Sequence, residues 1–164
     1  MFVKPNKTKK QNQTDKVMTR EDIAIKIIKH FNPTGFILEP CRGTGSFYNN
    51  FKGEKDWCEI DENKDFFEYN KKANWIITNP PYSIYDSFLL KAFEVADNVV
   101  FLVPLAKAFK SKKIQDAIDE YGGLKEILYI GSGTEVGFPF GFPCGCLHYK
   151  KGYKGDIKFM RFNS

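Results

Sequence analysis

Residues 36–47, Phe-Ile-Leu-Glu-Pro-Cys-Arg-Gly-Thr-Gly-Ser-Phe, decide the fold class of this chain. An apolar run typical of a buried strand ends at Glu39, and Gly43 and Gly45 follow two positions apart. Glycines at this point let bare backbone approach a ligand at the carboxyl end of a parallel strand. The dinucleotide-binding pattern needs a third glycine, which this stretch lacks, and a carboxylate here would repel a pyrophosphate. The stretch therefore predicts a strand, a ligand-binding turn and a helix beginning at Ser46, with a ligand that carries positive charge.

A second informative stretch lies 34 residues after Gly45, where Asn79-Pro80-Pro81-Tyr82 follows the apolar run 75–77. Two consecutive prolines hold the backbone extended and supply no N–H groups. Their carbonyls still accept hydrogen bonds, beside an asparagine amide oxygen and an aromatic ring. This combination is suited to holding a planar group that carries an exocyclic amine.

The two stretches resemble motifs I and IV of the S-adenosylmethionine (AdoMet)-dependent amino-methyltransferases, in the forms Glu-Pro-x-x-Gly-x-Gly-x-Phe and Asn-Pro-Pro-Tyr. This class I family includes N6-adenine and N4-cytosine DNA enzymes and enzymes that methylate a protein glutamine amide. The chain resembles its minimal gamma-type N6-adenine DNA methyltransferases in particular, over roughly residues 17–104. The resemblance implies AdoMet as the cofactor and a three-layer, Rossmann-like α/β fold.

The resemblance also implies catalytic residues. The Asn79 side-chain oxygen and the Pro80 carbonyl would each accept one N–H of the target amine. Pro81 completes the motif, and Tyr82 would stack on the target base. No strong base is required, because the amine becomes acidic once its nitrogen has attacked the methyl group.

A larger set of residues matches the cofactor-binding motifs. These residues are Thr19, Glu39, Pro40, Cys41, Gly43, Gly45, Glu59, Asp61, Asp65 and Phe66. Within that set, Glu59 matches the acid that binds the ribose hydroxyls, and Asp61 is the competing choice. The pair Asp65-Phe66 resembles motif III, in which the acid accepts from the adenine amine and the ring packs on the adenine.

Thr19 stands before a predicted helix whose apolar residues fall on one face. Its position resembles motif X, a threonine that contacts the methionine end of AdoMet. Thr19 and Asp22 also form an approximate capping box, which would explain the threonine by local structure alone. Both interpretations stay open at this point.

The chain departs from the family pattern between Glu59 and Asp65, which only five residues separate. That length is too short for the helix that normally joins strands 2 and 3. We therefore expect a sheet that is shortened around strand 3 and a cofactor pocket that is open at its adenine end.

The remaining pattern alternates helices and strands. It predicts helices over 83–96 and 111–121, strands over 98–103 and 124–130, and a closing antiparallel pair formed by 144–149 and 156–162. Alternation of this kind indicates a mostly parallel α/β sheet with a C-terminal antiparallel hairpin. The glycine-rich stretch before the last pair contains Phe138 and Phe142, each preceding a proline. By resemblance to motif VIII, either ring is a candidate to stack on the target base opposite Tyr82.

The net charge of +5 is uneven along the chain. Residues 1–16 contain five lysines against one aspartate, a net +4, and their polar composition predicts a flexible basic tail ahead of a single domain over 17–164. Such a tail suits phosphate contacts or is simply solvated. A second basic cluster near the C-terminus would extend this surface: Lys150, Lys151, Lys154, Lys158 and Arg161.

No apolar stretch approaches about 18 residues and no leader precedes a cleavage site, so we expect a cytoplasmic protein of a bacterial or phage-infected cell. Cys144, Cys146 and His148 alternate along a predicted strand, which explains their spacing without a metal.

The sequence thus predicts an AdoMet-dependent transfer to the N6 amine of adenine in DNA, without a separate target-recognition domain. DNA is the expected partner, together with a recognition subunit if site specificity is supplied by another chain. The alternatives are methylation of an RNA amine or a protein glutamine, or an AdoMet-binding subunit without catalytic activity.

Overall fold

The computed structural model describes residues 17–162, so the predicted basic tail lies outside the described residues. The described chain forms three α-helices and seven strands. In chain order these are α1 (Glu21–Phe31), β1 (Ile37–Glu39), β2 (Lys55–Trp57), β3 (Ala73–Thr78), α2 (Tyr85–Val95), β4 (Ala96–Pro104), α3 (Lys112–Tyr121), β5 (Gly122–Ser132), β6 (Pro143–Lys151) and β7 (Lys158–Arg161). The predicted helices over 83–96 and 111–121 agree with α2 and α3 to within two residues.

The strands form one sheet in the order β2-β1-β3-β4-β6-β5-β7. The first four are parallel, and β6 runs antiparallel to both β4 and β5. This confirms a mostly parallel α/β sheet with a C-terminal antiparallel hairpin, in which β5 and β6 are the two arms. The predicted pairing of 144–149 with 156–162 is wrong. Because β6 already has neighbours on both edges, β7 instead joins the outer edge of β5, in parallel.

Helices cover the two faces of the sheet, which gives the expected three layers. Successive residues of β3 serve opposite faces, since Ile76 packs with α2 and α3 while Ile77 packs with α1. The strand β4 is a continuous apolar run over 99–103, all of it buried, as expected for a parallel strand covered on both faces. The carboxyl ends of the parallel strands β1, β3 and β4 therefore lie side by side, and the loops that carry the motifs begin there.

The region around the expected third strand is shortened as the sequence predicts. Two short 3-10 turns, Ile60–Glu62 and Phe66–Glu68, replace a helix and a strand, so β2 is the edge of the described sheet. The Asp56 carboxylate accepts from the Trp57 N–H at 2.9 Å and from the Tyr69 hydroxyl at 3.2 Å. The first of these bonds pairs one backbone N–H of the edge strand β2 with a side-chain acceptor, and the second joins Tyr69 to that acceptor.

Two local expectations are wrong. The helix expected from Ser46 is only a 3-10 turn at Tyr48–Asn50. The capping box is also incorrect, because α1 begins after Arg20, and Thr19 lies one residue too early to cap it. The Asp22 carboxylate instead pairs with the Arg20 guanidinium at 2.8 Å. Within residues 17–162, no helix has the length and apolar character needed to cross a membrane.

We predict that Gly145→Ala destabilises the fold. A Cβ at this position of β6 would lie 2.1 Å from the Leu128 carbonyl oxygen and 3.0 Å from a Leu105 methyl carbon. Because the first neighbour is backbone, the added methyl costs about 1–3 kcal/mol, and the melting temperature falls by about 2–4 °C for each kcal/mol. Gly141→Ala is the matched control, since a Cβ there meets nothing within 4 Å. Equal melting temperatures for the two variants would contradict this prediction.

Candidate active site

A cavity of about 170 Å³ opens at the carboxyl ends of β1, β2 and β3. We call it the acidic cavity, because carboxylates dominate its charged lining. Seven of the predicted site residues line it: Thr19, Glu39, Cys41, Gly43, Glu59, Asp61 and Asn79. The structure thus brings residues from four separate stretches of sequence to one place.

The glycine loop after β1 is shaped by two positive backbone angles. Gly43 has φ 54° and Gly45 has φ 91°, a region that favours glycine. A Cβ on Gly43 would also lie 2.8 Å from the Met18 sulfur. The Gly43 N–H donates to a Glu59 carboxylate oxygen at 2.8 Å, so the loop is tied to the residue that follows β2.

Glu39 places a buried carboxyl group at the end of β1. One oxygen accepts from the Tyr48 N–H at 2.7 Å. Burial raises the pKa of this carboxyl well above its ordinary value, although that hydrogen bond and the nearby Arg42 guanidinium act in the opposite direction. The folded protein therefore favours the protonated form of Glu39, and a bound cation would favour the ionised form.

Glu59 and Asp61 follow β2 on the same side of the cavity. The second Glu59 oxygen accepts from the Asp61 N–H at 3.3 Å. Arg42, which also lines the cavity, pairs with Glu62 and lies 3.7 Å above the centroid of the Trp57 ring. Because its guanidinium is already paired, the charges that remain to meet a ligand are carboxylates. Such a set suits ammonium, sulfonium and hydroxyl groups and disfavours phosphate.

The motif III pair lies elsewhere. The Asp65 carboxylate accepts from the Phe67 N–H at 2.9 Å and caps the second 3-10 turn. Phe66 is buried in the core on the α2 side, with its ring centroid 4.8 Å from that of Phe88. Neither residue is among the described residues that line the acidic cavity. Their predicted contact with adenine gains no support from this arrangement, because the short connection folds Phe66 inward.

The Asn79 carboxamide is held between two partners. Its nitrogen donates to the Val17 carbonyl at 2.9 Å, and its oxygen accepts from the Tyr82 hydroxyl at 2.9 Å. Pro80 and Pro81, between them, are buried. The Asn79 side chain lines the acidic cavity, whereas Tyr82 lies beyond it, toward the glycine-rich loop at 131–142.

The ring that faces Tyr82 across that loop is Phe140, which the sequence analysis missed. Its centroid lies 6.1 Å from that of Tyr82 in an edge-on arrangement. Phe138, one of the two predicted candidates, is buried in the core on the α1 side, and Phe142, the other, is 62% exposed. The structural reason involves Gly133: a Cβ there would lie 2.2 Å from the Phe140 carbonyl oxygen, so this glycine permits the close approach of the Phe140 backbone.

The sequence matches no protein-family model and no curated protein sequence. Solved structures do share its architecture. A Listeria monocytogenes protein described as a class I S-adenosylmethionine-dependent methyltransferase has a TM-score of 0.70 at 14% identity, over 96% of this chain and 69% of its own. The chain has the fold of the class I AdoMet-dependent methyltransferases.

Two further structures bear on this fold. The type I restriction-modification methyltransferase subunit from Streptococcus thermophilus has a TM-score of 0.64 at 13% identity, over 88% of this chain and 46% of its own. A Pyrococcus horikoshii protein described as an RNA methyltransferase has a TM-score of 0.56 at 14% identity, over 87% of this chain and 91% of its own. The chain thus spans about half the length of the type I subunit that it resembles, and at these identities the likeness shows the fold alone.

We predict that Glu39→Gln stabilises the folded protein at neutral pH. The raised pKa means that the folded state binds this proton more tightly than the unfolded state, so the wild type loses stability as pH rises through the folded-state pKa. Glutamine keeps an oxygen for the Tyr48 N–H and never ionises. Each kcal/mol gained raises the melting temperature by about 2–4 °C at pH 8. The gain should vanish below the ordinary pKa of 4.5, and a gain that is independent of pH would contradict this account.

Proposed function

We propose that this protein is an enzyme that transfers the methyl group of AdoMet to the N6 amine of adenine in DNA. The observation that carries this proposal is the Asn79 carboxamide, which lines the acidic cavity and whose oxygen accepts from the Tyr82 hydroxyl. A cofactor site and an amine-binding site meet at this one side chain.

The acidic cavity fits AdoMet by its chemistry. The buried Glu39 and the carboxylates of Glu59 and Asp61 supply acceptors for the ammonium, sulfonium and ribose hydroxyl groups of that molecule. Gly43 and Gly45 supply bare backbone at positive φ beside them. When bound, AdoMet supplies an electrophilic methyl group on sulfur.

The Asn79 motif makes the target nitrogen nucleophilic. The lone pair of an adenine N6 amine is delocalised into the ring and attacks poorly. If the Asn79 oxygen and the Pro80 carbonyl each accept one N–H, the nitrogen shifts toward tetrahedral geometry and its lone pair becomes available for attack. AdoMet held in the acidic cavity would supply the methyl group, with its sulfur as the leaving group, and the methylated amine would lose one proton to water.

Tyr82 and Phe140 are suited to hold the base itself. Their centroids are 6.1 Å apart with the rings edge-on, so the two rings contact each other and must separate before a base can stack between them. Phe140 is half-buried on a glycine-flanked loop and is the ring that would move. Stacking of a base on an aromatic ring contributes about 1–3 kcal/mol. A target within a duplex must first rotate out of its stack, at a cost of a few kcal/mol.

The neighbouring structures guide the choice of substrate class. Three of them are described as methylation subunits of type I restriction enzymes, which favours DNA and a partner subunit that supplies recognition. The second candidate is an amine of RNA, and the Pyrococcus protein described as an RNA methyltransferase favours it.

We predict that Asn79→Ala lowers methyl transfer to DNA by at least about 100-fold, the effect of removing one oriented polar partner of the reacting group. AdoMet binding persists, because the carboxylates and the glycine loop are intact. The measurement is transfer of label from AdoMet to separate DNA, RNA and protein pools, followed by mass spectrometry of the nucleosides. Asn70→Ala, at an exposed site outside the acidic cavity, is the control.

The pool that carries the label identifies the substrate class. Label in N6-methyladenine of DNA supports the proposal. Label confined to RNA or to protein glutamine overturns the DNA assignment and selects the corresponding alternative. AdoMet binding with no label in any pool selects the non-catalytic alternative, and unchanged DNA labelling in Asn79→Ala rejects the mechanism.

We further predict that substitution of Phe140 weakens substrate binding, whereas substitution of the nearby Phe138 lowers the stability of the fold. Phe140→Ala raises the KM for DNA by about tenfold with little change in melting temperature, since the ring is half-buried and faces Tyr82. Phe138→Ala costs about 3–5 kcal/mol of stability, because it empties a core position. Phe140→Tyr keeps a stacking face and should restore the KM. A normal KM in Phe140→Ala would show that the ring does not contact substrate.

A further inference from the structure

A series of aromatic rings leads from the candidate active site to the protein surface. Centroid distances are 6.1 Å from Tyr82 to Phe140 and 5.7 Å from Phe140 to Phe142. We call these three residues the aromatic ladder. Its inner member belongs to the catalytic motif, its middle member is half-buried, and its outer member is 62% exposed.

The outer ring is held in place despite its exposure. The Phe142 carbonyl accepts from the Gly133 N–H at 2.8 Å, and β6 begins at the next residue, Pro143. A single exposed phenylalanine on a protein surface is ordinary. Phe142 differs because its backbone is anchored and its ring contacts that of Phe140, which in turn contacts that of Tyr82 in the motif.

The surface next to Phe142 carries positive charge. The β4–β6 register pairs Pro104 with Cys144, so the segment that follows β4 leaves the sheet beside the segment that precedes β6. Residues 105–113 contain four lysines and no acidic residue. Of these, Lys110 pairs with Asp86 at 3.5 Å and Lys112, which is 87% exposed, pairs with Asp116 at 2.6 Å. Lys113 is also exposed.

We propose that Phe142 stacks the nucleobase adjacent to the target base, and that the substrate is therefore an unpaired strand of nucleic acid. This inference rests on the proposed function, because it extends the site formed by Tyr82 and Phe140. A base inside a duplex stacks on both of its faces, whereas a base of an unpaired strand can lie flat on a ring at the protein surface, so an exposed ring at this position favours an unpaired strand. The lysines of 105–113 lie where the phosphates of such a strand would leave the site.

The test measures binding of an adenine-containing single-stranded DNA oligonucleotide by fluorescence anisotropy, in the absence of methyl transfer. Phe142→Ala should weaken binding about 5- to 100-fold, and Phe142→Trp should retain it. Phe159→Ala is the matched control, because Phe159 is 60% exposed on β7, the strand at the far edge of the sheet. Binding of the mononucleotide dAMP should be equal in the wild type and Phe142→Ala, since one base occupies only the inner slot.

Several outcomes would overturn the inference. These are equal losses in Phe142→Ala and Phe159→Ala, no loss in Phe142→Ala, or wild-type binding of a duplex of the same sequence as tightly as the single strand. An RNA oligonucleotide of the same sequence, run in parallel, identifies which type of strand is preferred. Binding is measured without AdoMet, so the role of Phe142 is tested separately from methyl transfer. If the protein binds the oligonucleotide but methylates no nucleic acid, the proposed function fails and the binding result for Phe142 still stands.

The lysines supply an independent measurement of the same strand path. Each phosphate contact to a single strand contributes about 0.7 to the slope of log affinity against log salt concentration. The double variant Lys112→Gln/Lys113→Gln should therefore reduce that slope by about 1.4, and Lys52→Gln, at an exposed site before β2, should leave it unchanged. An unaltered slope in the double variant would show that the strand does not pass this segment.

Discussion

The hydrogen bond from the Asn79 amide nitrogen to the Val17 carbonyl determines which way the Asn79 carboxamide faces. A carbonyl can only accept, so the nitrogen must point at Val17 and the oxygen must point toward Tyr82. Val17 belongs to the short segment that enters α1. That segment is also tied to the glycine loop, where the Ser46 hydroxyl donates to the Thr19 carbonyl at 2.7 Å. The lead-in to the first helix thus joins two motif loops that lie far apart in sequence.

The glycine loop is similarly braced from the side of β2, although β2 is the edge of the described sheet. In the glycine loop, the Arg42 N–H donates to the Cys58 carbonyl at 3.0 Å, and the Gly43 N–H donates to the Glu59 carboxylate. The Arg42 side chain adds a cation–π contact to Trp57. Two residues of the loop after β1, Arg42 and Gly43, therefore make three contacts with the end of β2 and the residues that follow it. This bracing explains how the acidic cavity keeps its shape without a third strand beyond β2.

The parts that the sequence predicts well are those in which local chemistry and the global fold agree. An apolar run that ends in Glu39 and two glycines admits few other arrangements, and the buried run of β4 must lie inside a sheet. The failures depend on distant contacts. Which of three phenylalanines turns toward Tyr82 is decided by Gly133, and which edge accepts β7 is decided by the position of β6. Neither fact is visible within a local window of sequence.

The Tyr82 hydroxyl shows how the site can change without moving its framework. It has two acceptors within reach, the Asn79 oxygen at 2.9 Å and the Leu102 carbonyl at 3.3 Å, but it carries a single proton. An arriving amine that donates to the Asn79 oxygen competes for the first acceptor, and the hydroxyl can then turn to the second. Because Leu102 lies in the buried strand β4, that second acceptor is fixed in place. Under the proposed function, the bond between the Tyr82 hydroxyl and the Asn79 oxygen therefore yields to the substrate at small cost, since a hydrogen bond is exchanged and none is lost.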